Sequence, residues 1–405
     1  MSTVIPKSPR FHFIDLLRGW ATIMMIETHT VNAYMDVSVR MQPWFAYLNF
    51  FNGWIAPSFI FISGFAFRIV TDRKWDSYLT WNPVSKKQLY RLLQILLLAY
   101  LMHLPFALLK DWKLSMPEGW GPLFRVDVLH IISLSLIALQ LYVMIFKSQK
   151  RVVIAALLSG CFFIFFARIA WQYDFTQWIG EPLGNYFNSM HASLFPAFPW
   201  AAYTFFGYAG AHFFLMAHKS LREKEFIRNV ALLSIAGIFI AYIFHAYPLS
   251  FLTANNIWIS NPAWFLLRGS IVCFLLAAMW YYEKTFMTVG FSVVGMFGQN
   301  SLFVYVMHLS MIFGSFGLPK ISISNYHHVS FGMSLATSAL IFIVMLLLTY
   351  WWKQSRAEKK KQWKYFASAA AIWIVLALGW ETAVDYLEPV EKITSRFIDS
   401  VQNFF

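Results

Sequence analysis

Apolar runs of about 20 residues recur along almost the whole chain, each long enough to cross a hydrocarbon core. A membrane β-barrel would instead show alternating ten-residue segments, and none is present. The chain is therefore read as an all-α polytopic membrane protein. Composition agrees: 59% of the 405 residues are hydrophobic and 13% are charged, where a soluble domain carries about 25% charge. The spans fall near 12–35, 47–70, 88–109, 126–146, 152–171, 196–217, 229–247, 262–282, 291–314, 330–352 and 365–384, about 11 transmembrane helices. Loops are short and no internal repeat is evident, so residues 1–384 are expected to form one transmembrane domain. The tail 385–405 spaces Ile393, Phe397 and Val401 four apart, the pattern of a short amphipathic helix on the outer interface.

Most of the 32 Lys and Arg residues fall at alternate ends of the spans. By the positive-inside rule this places the N-terminus in the cytoplasm and the C-terminus outside. The net charge of +13 belongs to this topological pattern. No basic stripe interleaved with stacking aromatics occurs, so no nucleic-acid partner is expected. Cys161 and Cys273 lie inside apolar runs and form neither a disulfide framework nor a metal-ligand spacing. No metal is expected, no cleavable signal peptide is apparent, and nothing in the sequence excludes a homo-oligomer.

The first span carries charges where lipid tolerates none. It holds Asp15, Arg18, Glu27 and His29. A charge near the centre of a membrane helix costs about 2.5–3.5 kcal/mol on insertion scales, so such residues face a bundle interior or a cavity and are functional candidates. Arg18 and His29 are eleven residues apart, three turns plus about 20°, and so share one face at roughly 16 Å separation. Arg18 then lies near the cytoplasmic mouth and His29 beyond the midplane. A donor entering from the cytosol and reacting with an outside acceptor would need that arrangement. Arg18 would meet an anionic or carbonyl part of the donor, and His29 would act as general base. Glu27 points to another face and to another helix.

In the second span Pro57 is expected to break the helix ladder, with Ser63 and Gly64 forming a small polar spot that admits a helix or a ligand. Asn300, Tyr305 and His308 fall on related turns of one late span, where they line an acceptor cavity or a polar network. Asp127 and His130, at i and i+3, read as a structural pair. A transporter or flippase for a lipid-linked or anionic substrate would also place charges in a membrane pathway, but many such folds show an internal repeat.

Several segments resemble one family. IDLLRGWATIMMIETH is similar to the first helix of membrane-embedded acyltransferases. These comprise the heparan-α-glucosaminide N-acetyltransferase family and acyltransferase family three, which share an Asp-x-x-Arg-Gly start. In the latter, and in bacterial relatives of the former, a His follows the Arg after ten intervening residues, as Arg18 and His29 are placed here. IAPSFIFISGFAF resembles the families' second-helix Ser-Gly motif, RVDVLHIISLSLI their fourth-helix signature, FPWAAYTFFGYAGA their Phe-Pro-Trp segment, and GQNSLFVYVMH a late Gly-x-Asn-Ser element. The animal lysosomal member has Asn at the position of His29 and its His slightly later. This chain has no His between Thr30 and Met102, so His29 must serve, or another His must arrive from a different helix.

The resemblance implies a bacterial inner-membrane enzyme. It would move an acetyl group from cytosolic acetyl-CoA to a hydroxyl or amine of an extracytoplasmic glycan or glycolipid. His29 would be its base or transient acetyl carrier. Arg18, Ser63, Gly64, Arg68, Arg73, Lys87 and Arg91 would then hold the donor. Glu27, Asn300, Tyr305 and His308 would meet the acceptor.

Overall fold

The computed structural model describes residues 10–103, 118–247, 260–287, 292–313 and 329–357. The span expected at 365–384 and the tail 385–405 lie outside the described residues. Those described form helices, with no strand and one isolated bridge between Met35 and Val329. In chain order the helices are α1 (His12–Tyr34), α2 (Val37–Arg40), α3 (Pro43–Asn52), α4 (Ile55–Arg73), α5 (Trp75–Tyr78), α6 (Pro83–Met102), α7 (Val128–Phe146) and α8 (Gln149–Ala170). They continue with α9 (Thr176–Ile179), α10 (Glu181–Gly184), α11 (Ala197–Lys219), α12 (Glu223–Ala246), α13 (Pro262–Thr285), α14 (Val293–Gln299), α15 (Ser301–Phe313) and α16 (Phe331–Ala357). Among the described residues six stretches are long and apolar enough to cross a membrane: Pro43–Arg73, Val128–Phe146, Gln149–Ala170, Glu223–Ala246, Pro262–Thr285 and Phe331–Ser355.

Helix starts follow local chemistry. Pro83 and Pro262 sit at first-turn positions, where a missing N–H costs nothing. Asn82 and Ser85 form a reciprocal capping box, as do Asp127 and His130. The latter pair is the structural pair expected from its spacing. Two expected spans are each broken in two. The stretch 47–70 divides at Gly53 and Trp54, between α3 and α4. Pro57 lies in the first turn of α4, so it starts that helix instead of interrupting one. The stretch 291–314 breaks at Asn300, whose backbone (φ −119°, ψ 23°) leaves the helical region.

Two pairs of glycines let backbones touch. A Cβ on Gly19 would overlap the Val294 carbonyl, and one on Gly298 would overlap the Asp15 carbonyl, so α1 and α14 cross in direct contact. Gly64 and Gly207 do the same for α4 and α11, against the carbonyls of Thr204 and Phe61. Small residues at such crossings are how membrane helices gain packing when apolar burial is not a driving force. Buried and half-buried hydroxyls satisfy themselves on carbonyls four residues back, as Thr22, Thr30, Ser58 and Ser63 do.

One end of the bundle concentrates ion pairs. Arg10 meets Asp15, Lys219 meets Asp72, and Glu223 gathers His218, Lys284 and the Trp280 indole. The Glu283 carboxylate accepts the Phe13 amide at the start of α1. At the opposite end the Met35–Val329 bridge ties α1 to α16 through Asp36 N–H to Val329 O and Val329 N–H to Tyr34 O.

Gly298→Ala should destabilise the fold by about 1–3 kcal/mol or more, because the new methyl group meets backbone that cannot swing away. Gly332→Ala, with nothing within 4 Å of the new carbon, should leave stability equal or slightly raised. Thermal unfolding of detergent-solubilised protein checks the pair.

Candidate active site

The break at Asn300 redirects the chain so that α15 runs beside α1 and delivers a second histidine to the first. His29 Nδ1 lies 2.9 Å from His308 Nε2. The ring planes are within 8° of parallel and the centroids are 5.2 Å apart. At that centroid spacing two nitrogens come so close only when they point straight at each other. His308 Nδ1 sits 2.6 Å from the Val304 carbonyl oxygen, one turn back on its own helix.

This second contact sets the protons. A carbonyl oxygen only accepts, so Nδ1 of His308 carries hydrogen. In a neutral His308, Nε2 is then a bare lone pair, and His29 Nδ1–H donates to it. In a neutral His29 the remaining nitrogen, Nε2, is left with a lone pair. No described residue hydrogen-bonds to it. His308 is fully buried, whereas His29 keeps partial exposure. Phe313 packs its edge on the His29 ring. The arrangement is an oriented imidazole: one nitrogen anchored, the other presented.

His308 is held in turn. Tyr305, one turn earlier, donates its hydroxyl to Asp127 Oδ2 at 2.6 Å, tying α15 to the start of α7. Asp127 also caps α7 and lies 3.7 Å from His103 Nε2. His130 Nδ1 accepts the Asp127 amide, and the Tyr100 and Tyr186 hydroxyls meet close by. Asp127, His103 and Tyr100 were not singled out as site residues from the sequence. Their link to Tyr305 crosses 178 residues of chain, and no local spacing signals it.

The other expected residues divide. Arg18 sits half-buried in α1, and no described residue hydrogen-bonds to its guanidinium. Its nearest carboxylate, Asp15, is already paired with Arg10. Glu27 accepts from Thr28 through Oε2, while its other oxygen is buried without a partner. Ser63 bonds back to the Phe59 carbonyl, and Gly64 serves the α4–α11 crossing. Arg68, 1% exposed, is bound by Asp72, Gln149 and His212 and flanked by Trp75 and Tyr208. It is an internal cation of the bundle. Arg73, Lys87 and Arg91 are exposed. Asn300 turns its amide onto the Met296 carbonyl. No cluster of three or more metal-ligating side chains occurs among the described residues.

The segment between α8 and α11 is a pinned cap. Asn188 donates to the Ala170 and Tyr173 carbonyls, Asn185 to Phe124, and the Trp171 indole to Phe198. Its Asn185 and Asn188 amides are thus spent on the protein itself, whereas Tyr173 and Trp178 are exposed. The Asp174 carboxylate accepts from the Thr176 hydroxyl at 2.6 Å and faces His191 at 3.0 Å. These contacts, Thr176 foremost, draw its pKa down to about 2.

The histidine pair is thus anchored within a bundle of membrane-spanning helices. A family model described as heparan-alpha-glucosaminide N-acetyltransferase, catalytic, matches residues 10–247. The chain belongs to this family of membrane acetyltransferases, in keeping with the resemblance of its motifs, and is a multi-pass membrane protein. No curated protein matches the chain. Membership of a transferase family stands against the transporter or flippase alternative. His29 and the Asp127 cap lie inside the matched region, whereas His308 and Tyr305 lie beyond it.

Because Asp174 ionises more readily in the folded chain, its contacts stabilise the cap above the ordinary carboxylate range. They are lost as pH falls from about 4 toward about 2. Asp174→Asn should therefore lower the melting temperature at pH 5, and the difference from wild type should vanish near pH 2. Paired thermal melts at the two pH values read this out.

Proposed function

We propose that the protein transfers an acetyl group from cytosolic acetyl-CoA to a hydroxyl or amine of an extracytoplasmic glycan or glycolipid, with His29 as general base. The observation that carries this reading is the His29–His308 pair, which leaves the lone pair of His29 Nε2 for a substrate proton. Acetyl-CoA supplies the acyl group as a thioester. The acceptor's oxygen or nitrogen adds to the acyl carbon as its proton passes to Nε2. The carbon–sulfur bond then breaks, and the same proton is available to the leaving thiolate. His29 carries a positive charge between these events. Its Nδ1–H bond to His308 strengthens as that charge develops, since charge-assisted hydrogen bonds are roughly twice as strong as neutral ones.

Arg18 is assigned to the donor. Its guanidinium lacks a hydrogen-bonding side chain among the described residues, which suits a carbonyl or phosphate oxygen. It lies about 16 Å from His29 along α1. The exposed Arg73, Lys87 and Arg91 would meet the nucleotide phosphates, with the Ser63–Gly64 turn beside the path. Arg68 would contribute as a buried positive field, since its close neighbours are protein groups. On the acceptor side Glu27 offers an unpartnered carboxylate oxygen to a hydroxyl or amine. Tyr305, His308 and Asn300 shape that side by holding α15. The topology that fits is a single domain of about 11 helices, N-terminus inside and C-terminus outside, in a bacterial cytoplasmic membrane.

His29→Ala should abolish transfer, by about 10²–10⁴-fold for loss of a general base, while donor binding stays nearly intact. Arg18→Ala should weaken donor binding instead. His308→Ala should lower turnover without changing donor affinity. The measurements are labelled acetyl-CoA binding and product formation by purified protein. Wild-type turnover in the His29 variant would remove it from the mechanism.

A further inference from the structure

Asp15, Asp72 and Glu223 each meet an Arg or Lys side chain. Asp127 meets neither among the described residues. Its ion-pair partner is His103, at 3.7 Å, which is charged only when protonated. Its oxygens instead accept the Val128 amide and the Tyr305 hydroxyl, both at 2.6 Å, as an ionised carboxylate does. A carboxylate held at the start of a spanning helix without a permanent counter-charge is costly. Retaining one calls for a cation that is present only part of the time.

Position indicates where that cation forms. Tyr305 sits one turn before His308 on α15, with ring centroids 5.9 Å apart at 79°. A line of groups therefore runs from Asp127 through Tyr305 to His308 and on to His29. The Asp127 charge acts on both imidazoles. His308 is fully buried, and in such surroundings charges are screened far less than in water.

Other charges around this half of α1 are few. On α1 itself Glu27 and Tyr34 point to other faces, and Arg18 lies about 16 Å away. Helices α3 and α14 carry no Asp, Glu, Lys or Arg. On α15 the titratable groups are Tyr305 and His308. Arg68 and Asp72 of α4, Glu283 and Lys284 of α13 and Lys353 of α16 lie toward the ion-paired end. Arg40 of α2 bonds the Asn32 carbonyl, and Arg268 of α13 lies over Trp200 and Trp264.

We propose that Asp127 is a positioning residue of the reaction, supplying the fixed negative charge that balances the imidazolium formed on the His29–His308 pair. The acceptor's proton passes to His29 Nε2 as the new bond to the acyl carbon forms. It leaves for the thiolate as the carbon–sulfur bond breaks. Between these events the pair carries one positive charge and Asp127 one negative charge. No proton moves to Asp127, and Tyr305 keeps its own. The inference rests on His29 as the base of the proposed acetyl transfer.

The test reads the coupling on the ring itself. Full-length protein with isotope-labelled histidine, in a non-ionic detergent, is titrated by NMR. The His29 signal is the one missing in His29→Ala. Asp127→Asn keeps the size, a good N-cap and an acceptor for Tyr305, and removes only the charge. The pH at which the His29 signal passes from neutral to imidazolium should then fall by about one unit, a tenfold loss of proton affinity. Asp127→Ser is also a good N-cap and also uncharged; it should do the same, and it decides the matter if the Asn variant does not fold. Tyr305→Phe cuts the tie and keeps the charge, so it should move the midpoint by roughly a few tenths at most. Wild-type midpoints in the charge-free variants would overturn the proposal. So would an equal shift in Tyr305→Phe, which would leave Asp127 a purely structural role. The titration needs neither donor nor acceptor. Coupling absent while His29→Ala still abolishes transfer refutes this inference alone. Coupling present with wild-type turnover in His29→Ala overturns the base assignment, and the proposal with it.

Discussion

The Val304 carbonyl oxygen can only accept a hydrogen bond, and that fact propagates through the reactive end of the molecule. It places hydrogen on His308 Nδ1, empties His308 Nε2, and draws the His29 proton to Nδ1. What remains is a lone pair on His29 Nε2. A side-chain partner such as Asn, able to flip between donor and acceptor, would not impose this order. A backbone carbonyl inside a helix cannot flip, so the orientation is built into α15.

The carbonyl matters only because α15 is correctly placed. Asn300 breaks the expected span, and α14 is pressed onto α1 by the facing Gly19 and Gly298. The Tyr305–Asp127 bond then fixes α15 against α7 from the other side. These contacts between distant parts of the chain thus hold α15 in place beside α1. Each is short-range, and none is an exposed ion pair of the kind worth only about 0–1 kcal/mol. The ion pairs of Lys and Arg gather at the opposite end of the bundle, where Glu223 and Asp72 collect several cations. In our reading that end faces the cytosol, the charged end receives an anionic donor, and the neutral histidine pair receives the acceptor.

Arg268 and Arg68 show how far burial alone misleads. Both are intramembrane arginines flanked by aromatic rings. Arg68 is sealed and bound by Asp72, Gln149 and His212. Arg268 borders a cavity lined by α3 and the starts of α4 and α13. The first has its counter-charge inside the protein.

Much was legible in the sequence. Long apolar runs led to the helices, because lipid offers the backbone no other partner. The Asp-x-x-Arg-Gly start with the spaced His29 led to the family, and the i, i+3 spacing led to the Asp127–His130 cap. The absence of any His from Thr30 to Met102 left room for one from another helix. What the sequence could not reveal was which one, because His308 stands 279 residues away and helical spacing is silent about partners on other helices. Nor could it separate Gly64 as a crossing point from Gly64 as a ligand contact. Local periodicity decides which face of a helix is apolar and which residues share it. Only the packed bundle decides what that face meets, and it was this packing that set the two imidazoles edge to edge and left one nitrogen bare.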